Sequence, residues 1–312
     1  MKNISSITTL KLAGFEEFNN YRYFYFICCL LGYLLIVFIN VLLIVVIIFD
    51  QNLHAPMYAF ICNLALNGLY GSSVLFPQVV AYSISESNII SYAACFIQMF
   101  FVYSYSYNEL VFLAIMAYDR YVSICNPLRY YSILTKAKTL TLVILSWIYS
   151  ACFAVAFLCL SLRLPLCDKY IPNIFCDNAA IVKLSCVDTS FDDVFQSWIA
   201  VVNSGLMLIG ILCSYVQIFK VCKKSSEGTV RKAFHTCITH MVAVCIFLIC
   251  GVFKFFQRTV NKESNSIIVH ILFSAGHFIF PPLLNPIIYG IRTQEIRNVI
   301  KKIITRKMNK FN

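Results

Sequence analysis

The chain has 312 residues, of which 60% are hydrophobic and 12% charged, with a mean hydropathy of +0.77 and a formal net charge of +11. A soluble domain carries about 25% charged residues, so an ordinary cytosolic enzyme is excluded, and with only 10 Gly and 8 Pro in a chain this long, so are collagen, disordered and disulfide-knot classes. Lipid must solvate most of the chain.

A helix needs about 20 apolar residues to cross a hydrocarbon core about 30 Å thick. Residues 1–22 carry charges and no apolar core, which predicts an outer tail rather than a cleaved signal peptide, and Asn3-Ile4-Ser5 within it is a glycosylation sequon. Seven stretches free of Asp, Glu, Lys and Arg follow: Tyr23–Phe49, Asn52–Ser85, Ser87–Asn108, Thr139–Leu162, Val194–Phe219, Ala233–Phe253 and Ser264–Ile291. The second is expected to start near Pro56, because proline suits a first helical turn, and the third to run past Glu109 to about Tyr121. Barrel strands would be about 10 residues with strict alternation, a pattern not present. The reading is an all-α membrane protein: a single domain over 1–312, with an outer N-terminus (1–22), a seven-transmembrane helix bundle (23–291) and an inner tail (292–312).

The basic residues set the orientation. Sixteen of the 25, from Arg120 to Lys310, fall on one side against only Asp50, Asp119, Glu227 and Glu295, while the other side balances nine against nine. That places the N-terminus outside. The basic charge lies beside the spans, where anionic lipid accounts for it, so no nucleic-acid partner is expected. After Arg292, Ile296, Val299, Ile300, Ile303 and Ile304 recur at helical spacing opposite Arg297, Lys301 and Lys302, which predicts a short amphipathic helix on the inner leaflet.

Of the 15 cysteines, most lie within spans, where a thiol behaves as a small hydrophobe. Cys95, Cys167, Cys176 and Cys186 sit on the outer, oxidising side, where four cysteines allow three pairings. Their spacing does not suggest a metal site. No catalytic set or phosphate loop is present in the sequence, so neither an enzyme nor a cofactor is expected.

The inner end of the third span reads Met116-Ala117-Tyr118-Asp119-Arg120-Tyr121-Val122-Ser123-Ile124-Cys125-Asn126-Pro127-Leu128. Pro56-Met57-Tyr58 opens the second span, Lys232-Ala233-Phe234-His235-Thr236-Cys237 opens the sixth, and Pro282-Leu283-Leu284-Asn285-Pro286-Ile287-Ile288-Tyr289 closes the seventh. Together these resemble the olfactory (odorant) receptors, a family of rhodopsin-like G-protein-coupled receptors, over essentially the whole chain. Asn67-Gly68-Leu69-Tyr70-Gly71 and the His-Thr-Cys variant are more similar to fish-type members.

The resemblance implies a small-molecule odorant and a heterotrimeric G protein, of the type that raises cyclic AMP, as partners. It also implies bridges Cys95–Cys176 and Cys167–Cys186. Asp119, Arg120 and Tyr121 become a latch that frees Arg120 on activation, and Asn285, Pro286 and Tyr289 a switch. Glu109, alone in hydrocarbon, is expected to be protonated or bonded to Asn67, Asn285 or Ser73, and His240 to pack against the latch or sit as a satisfied core histidine. Two departures stand out: Gly68 replaces the acid that the family usually pairs with Glu109 around sodium, and Leu248 stands where an aromatic toggle is usual.

Ligand contacts expected from the family are Met99, Val102, Tyr103, Ser106 and Tyr107 on the third span, then Asn203 and Met207, then Ile249, Lys254 and Phe255, then His270 and Ser274. Val102 in place of an Asp disfavours an amine ligand, and Ile279 in place of a Lys excludes a retinal chromophore. Lys254 and Arg258 at the mouth favour an anionic, waterborne odorant, or simply snorkel. The alternatives are a rhodopsin-like receptor for a peptide or lipid, and a transporter, which would need several deep charges or an inverted repeat. Only Glu109 lies deep.

Overall fold

In lipid every backbone polar group must be bonded internally, so each apolar stretch is forced into helix. The computed structural model describes residues 8–15, 22–85, 88–224, 227–259 and 267–311, without the side chains at 193, 227, 229, 231–233, 235–236, 254–259, 267–274, 303–304 and 306–311. In chain order its helices are α1 (Arg22–Phe49), α2 (Pro56–Ile84), α3 (Tyr92–Cys125), the short α4 (Tyr130–Ile133), α5 (Lys136–Leu162), the short α6 (Asn178–Lys183), α7 (Ser190–Cys222), α8 (Glu227–Thr259), α9 (Ile267–Arg292) and α10 (Gln294–Phe311). Among the described residues α1, α2, α3, α5 and α7 are long and apolar enough to cross a membrane, and α8 carries a shorter apolar run, Cys237–Phe253. With α9 they form the seven-helix bundle.

Local signals fix the ends. Pro56 occupies the first turn of α2, where its missing N–H costs nothing. The Ser91 side chain accepts from Ala94 N at 3.1 Å to cap α3, and Thr135 caps α5 through Lys138 N at 3.3 Å. α3 runs four residues beyond the expected Tyr121 and stops where Pro127 disfavours helical geometry at Asn126. α7 and α8 begin before their apolar stretches, at Ser190 and Glu227, because a polar first turn is solvated once it leaves the lipid.

α3 is the axis of the bundle, packing on α2, α5, α7 and α8, while α1 and α9 pack on α2 and on each other. Its most apolar stretch is 67% buried, against 11% for that of α7. So α3 is core, and α7 keeps most of its surface for lipid. Two buried clusters fill the interior, one toward the start of α3 around Met99 and Tyr105, the other toward its end around Phe112 and Met116.

The N-terminal segment is not a bare tail. Thr9–Leu12 is a strand, β1, lying between β2 (Ile89–Ser91), antiparallel with Leu10 opposite Ile90, and β3 (Tyr170–Ile171), parallel with Leu12 beside Ile171. Leu10 and Leu12 point inward, 1% and 0% exposed, while Lys11 lies over the Tyr170 ring at 5.7 Å. At the opposite end α10 buries Ile296 completely, packs Val299 and Ile300 on the second cluster, and exposes Arg297, Lys301 and Lys302. The amphipathic pattern is thus half anchored in protein.

Candidate functional site

At the sheet end, a loop from Arg163 to Thr189 folds over the bundle. Cys176 is bonded to Cys95 at the start of α3, with Cα atoms 5.4 Å apart, and Cys167 to Cys186, 5.1 Å apart. Cys176 N donates to Gln98 Oε1 at 2.9 Å, which aligns the loop along α3. Phe175 is thereby held fully buried above Met99 and Val102, 0% and 1% exposed. Residues 8–15 cover this loop in turn, through Leu10 and Leu12 of β1 and Phe15 beyond it, the last edge-on to Tyr82 at 5.4 Å. Gly14 makes that contact possible, since a Cβ there would fall 2.7 Å from the carbonyl carbon of Asn173.

The expected ligand contacts divide by environment. Met99 and Val102 lie in the cluster beneath Phe175. Tyr103 stacks on Phe157 at 5.4 Å and Tyr107 packs on Phe153 and Phe157, which forms an aromatic wall toward α5. Ser106 returns its hydroxyl to Val102 O on its own helix at 2.9 Å. Asn203 is buried and accepts from the Tyr149 hydroxyl, with its own Nδ2 unbonded among the described residues, and Met207 is half-buried on the same helix. Ile249, 54% exposed, lies on the outward face of α8 rather than inside the bundle. The helical period alone left its direction open. The side chains of Lys254, Phe255, Arg258, His270 and Ser274 lie outside the described residues, as does Asn3.

Midway along the bundle, α9 carries Pro281, Pro282 and Pro286. Each removes the N–H that would bond the carbonyl four residues earlier. Two of those carbonyls are taken up by other helices: the Tyr105 hydroxyl of α3 donates to His277 O at 2.9 Å, and Asn40 Nδ2 of α1 donates to Pro282 O at 2.8 Å. Glu109 accepts from Asn67 Nδ2 at 2.7 Å and, through its other oxygen, from Asn285 Nδ2 at 2.7 Å. Ser73, the third expected partner, pairs with the Tyr33 hydroxyl instead. The Asn67 amide also reaches Tyr105 O at 3.2 Å and accepts from Asn108 through its oxygen. Gly68 presses close to α1 and α9, a Cβ there falling 3.1 Å from Asn40 Oδ1 and 3.3 Å from Pro282 Cβ.

At the other end Asp119 and Arg120 pair at 3.0 Å, and Asp119 also accepts from the Tyr130 hydroxyl of α4 at 2.7 Å. That bond to Asp119 helps hold the Tyr130 phenol above its ordinary pKa, with burial the larger cause. Arg120 borders a cavity of 570 Å³ lined also by Met57, Met116, Thr239, His240, Tyr289 and residues of the α9–α10 turn. His240 bonds the Tyr215 hydroxyl at 2.7 Å and Leu113 O at 2.9 Å, so it is a satisfied core histidine that also faces the latch. Tyr289 is 4% exposed, and its hydroxyl has no hydrogen-bond partner among the described residues. Tyr121 is half-buried one residue beyond the pair, and Pro286 is buried beside Asn285.

A bundle of seven membrane-length helices, lidded at one end and opening onto a buried Arg at the other, is the architecture of a heptahelical membrane protein. The olfactory receptor family model matches residues 28–307. The chain is 33% identical to olfactory receptor 4E1 of Homo sapiens over 99% of this chain and 97% of that protein. It is 34% identical to the olfactory receptor-like protein OLF3 of Canis lupus familiaris over 89% and 88% of the two, and 33% identical to olfactory receptor 1M1 of Mus musculus over 99% and 98%. The chain belongs to the olfactory receptor family, a family of G-protein-coupled receptors and not of enzymes.

Proposed function

We propose that this receptor sits in the plasma membrane with residues 1–22 and the sheet outside and 292–312 in the cytosol, binds a small odorant beneath the lid, and activates a stimulatory G protein that raises cyclic AMP. The observation that carries this reading is the Asp119–Arg120 pair at 3.0 Å beside a 570 Å³ cavity at the basic end of the bundle. An Arg at the lipid boundary is costly without a partner. Held by Asp119 it is satisfied; released, it becomes a donor for the C-terminal segment of a G-protein α subunit entering that cavity. Met99 and Val102, with the aromatic wall of Tyr103 and Tyr107, offer an odorant apolar surface and few polar groups.

Moving a two-state receptor from 1:99 to 99:1 takes about 5.5 kcal/mol of differential binding, while a micromolar ligand has about 8 kcal/mol in total. Recognition is therefore weak and broad, with partial shifts. The test is surface-normalised cyclic AMP in cells expressing the wild-type receptor and Arg120→Ala, first without ligand and then across a small-odorant screen. Loss of output with intact surface expression supports the receptor. Unchanged output in Arg120→Ala, or a nanomolar response to a peptide, overturns it.

A further inference from the structure

We propose that Tyr105 is the residue through which the outer lid controls α9, in place of the aromatic toggle that Leu248 does not supply; this rests on the receptor function above. The Tyr105 side chain is fully buried, and its position is determined on every side. One face stacks on Phe278 of α9, with centroids 5.2 Å apart, and Phe278 meets Phe175 of the lid edge-on at 5.6 Å. Against α2 the ring fills a notch at Gly71, where a Cβ would lie 2.3 Å from the Tyr105 Cδ2. The ring has no room to turn toward α2.

The hydroxyl at its tip donates to the carbonyl of His277, which Pro281 has deprived of its helical donor. The backbone carbonyl of Tyr105 accepts from Asn67, the amide that also holds Glu109, and Glu109 in turn holds Asn285 of the Asn-Pro switch. Lid, proline-broken helix and buried polar network therefore meet at this one residue, the first two through its side chain and the third through its carbonyl. A ligand that displaces Phe175 or Phe278 removes the stack, and the hydroxyl leaves His277 O. α9 then loses that bond about two turns before Asn285, and its resting geometry loses its support. The Asp119–Arg120 pair is closed in this structure, so the Tyr105 bond belongs to the resting arrangement and its loss favours the active one.

The experiment uses full-length receptor in cells, with basal cyclic AMP normalised to surface receptor and no odorant added. Tyr105→Phe keeps the ring and removes only the hydroxyl, and raises basal output about fivefold, the shift expected from one net hydrogen bond. Tyr70→Phe removes a different α2–α3 hydroxyl bond, to Ser104 at 2.6 Å, and leaves basal output unchanged. Pro281→Ala restores an N–H for His277 O, so Tyr105→Phe has no further effect in that background, an outcome that simple loosening of the bundle does not give. Adding Arg120→Ala abolishes the rise. If Tyr105→Phe is retained inside the cell, Phe278→Leu removes the stack with the hydroxyl in place and raises basal output likewise.

Three results overturn the proposal: wild-type output from surface-expressed Tyr105→Phe or Phe278→Leu, an equal rise in Tyr70→Phe, or an undiminished effect of Tyr105→Phe in the Pro281→Ala background. A rise that persists in Tyr105→Phe with Arg120→Ala overturns the coupling reading of Arg120 instead, so the two failures are distinct.

Discussion

Replacing Gly14 by Val tests whether the N-terminal strand is built into the lid. A Cβ at this position would lie 2.7 Å from Asn173 C, 2.9 Å from Ile174 N and 3.0 Å from Asn173 O. All three are backbone atoms of the loop that carries Cys176, so no side chain can move aside. Two responses compete. The segment can shift by a few tenths of an ångström, an overpacking cost of about 1–3 kcal/mol. Alternatively residues 8–15 detach and lose the burial of Leu10, Leu12 and Phe15, worth about 1.5–3 kcal/mol each. The shift is the cheaper, so the lid stays seated but opens more often. Local opening free energy falls by about 1–3 kcal/mol, and amide exchange at Thr9–Leu12 quickens about five- to 150-fold. Hydrogen–deuterium exchange on receptor in nanodiscs reads this directly. Unchanged protection at Thr9–Leu12, with Gly14→Val folded, refutes the close approach.

Glu109→Gln is close to isosteric, yet it sets an amide N–H₂ against one of two Nδ2 donors, Asn67 and Asn285, now both accepted at 2.7 Å. It lowers stability by about 1–3 kcal/mol, seen as a lower Tm of the purified receptor; an equal or higher Tm means that the carboxyl does not accept both amides. The Cys95–Cys176 bridge spans 81 residues and Cys167–Cys186 spans 19. On chain entropy they contribute about 4.5 and about 3 kcal/mol, so Cys176→Ser lowers Tm and surface expression more than Cys186→Ser, and the reverse order would place the loop's anchorage elsewhere.

The spans were legible because lipid imposes a single rule, an uninterrupted run of about 20 apolar residues, and α1 starts within one residue of the expected Tyr23 and ends at the expected Phe49. The strand Thr9–Leu12 was not. Thr-Leu-Lys-Leu alternates, but over four residues that pattern is common, and its partners at Ile90 and Ile171 are some 80 and 160 positions away. Only the folded loop brings them together. Tyr103, Tyr105 and Tyr107 pose a different difficulty: at about 200° per two-residue step, Tyr103 and Tyr107 share a face and both pack on Phe157, while Tyr105 points to the opposite side. The family pattern marks the first and the third as ligand contacts and leaves out Tyr105, the one buried completely. Gly71 was the available clue, since a glycine in a helix interior costs about 1 kcal/mol against Ala and so marks a close approach.

The departure from the family pattern at Gly68 shares a physical consequence with Gly71. Gly68 and Gly71 lie three residues apart in α2 and hence on one face. One admits Asn40 and Pro282 to close range and the other admits the Tyr105 ring. Each thus serves a side chain that bonds a carbonyl left bare by a proline of α9, Asn40 at Pro282 O and Tyr105 at His277 O. An acid at position 68 would occupy the space beside Asn40, and any side chain at 71 would expel the tyrosine. Loss of the usual acid and close bonding of a proline-broken α9 are therefore linked through the packing of one helix face. Buried polar groups that leave a carbonyl unbonded cost about 1–3 kcal/mol each, so a helix with three prolines retains its shape in lipid only while α1 and α3 remain close enough to donate.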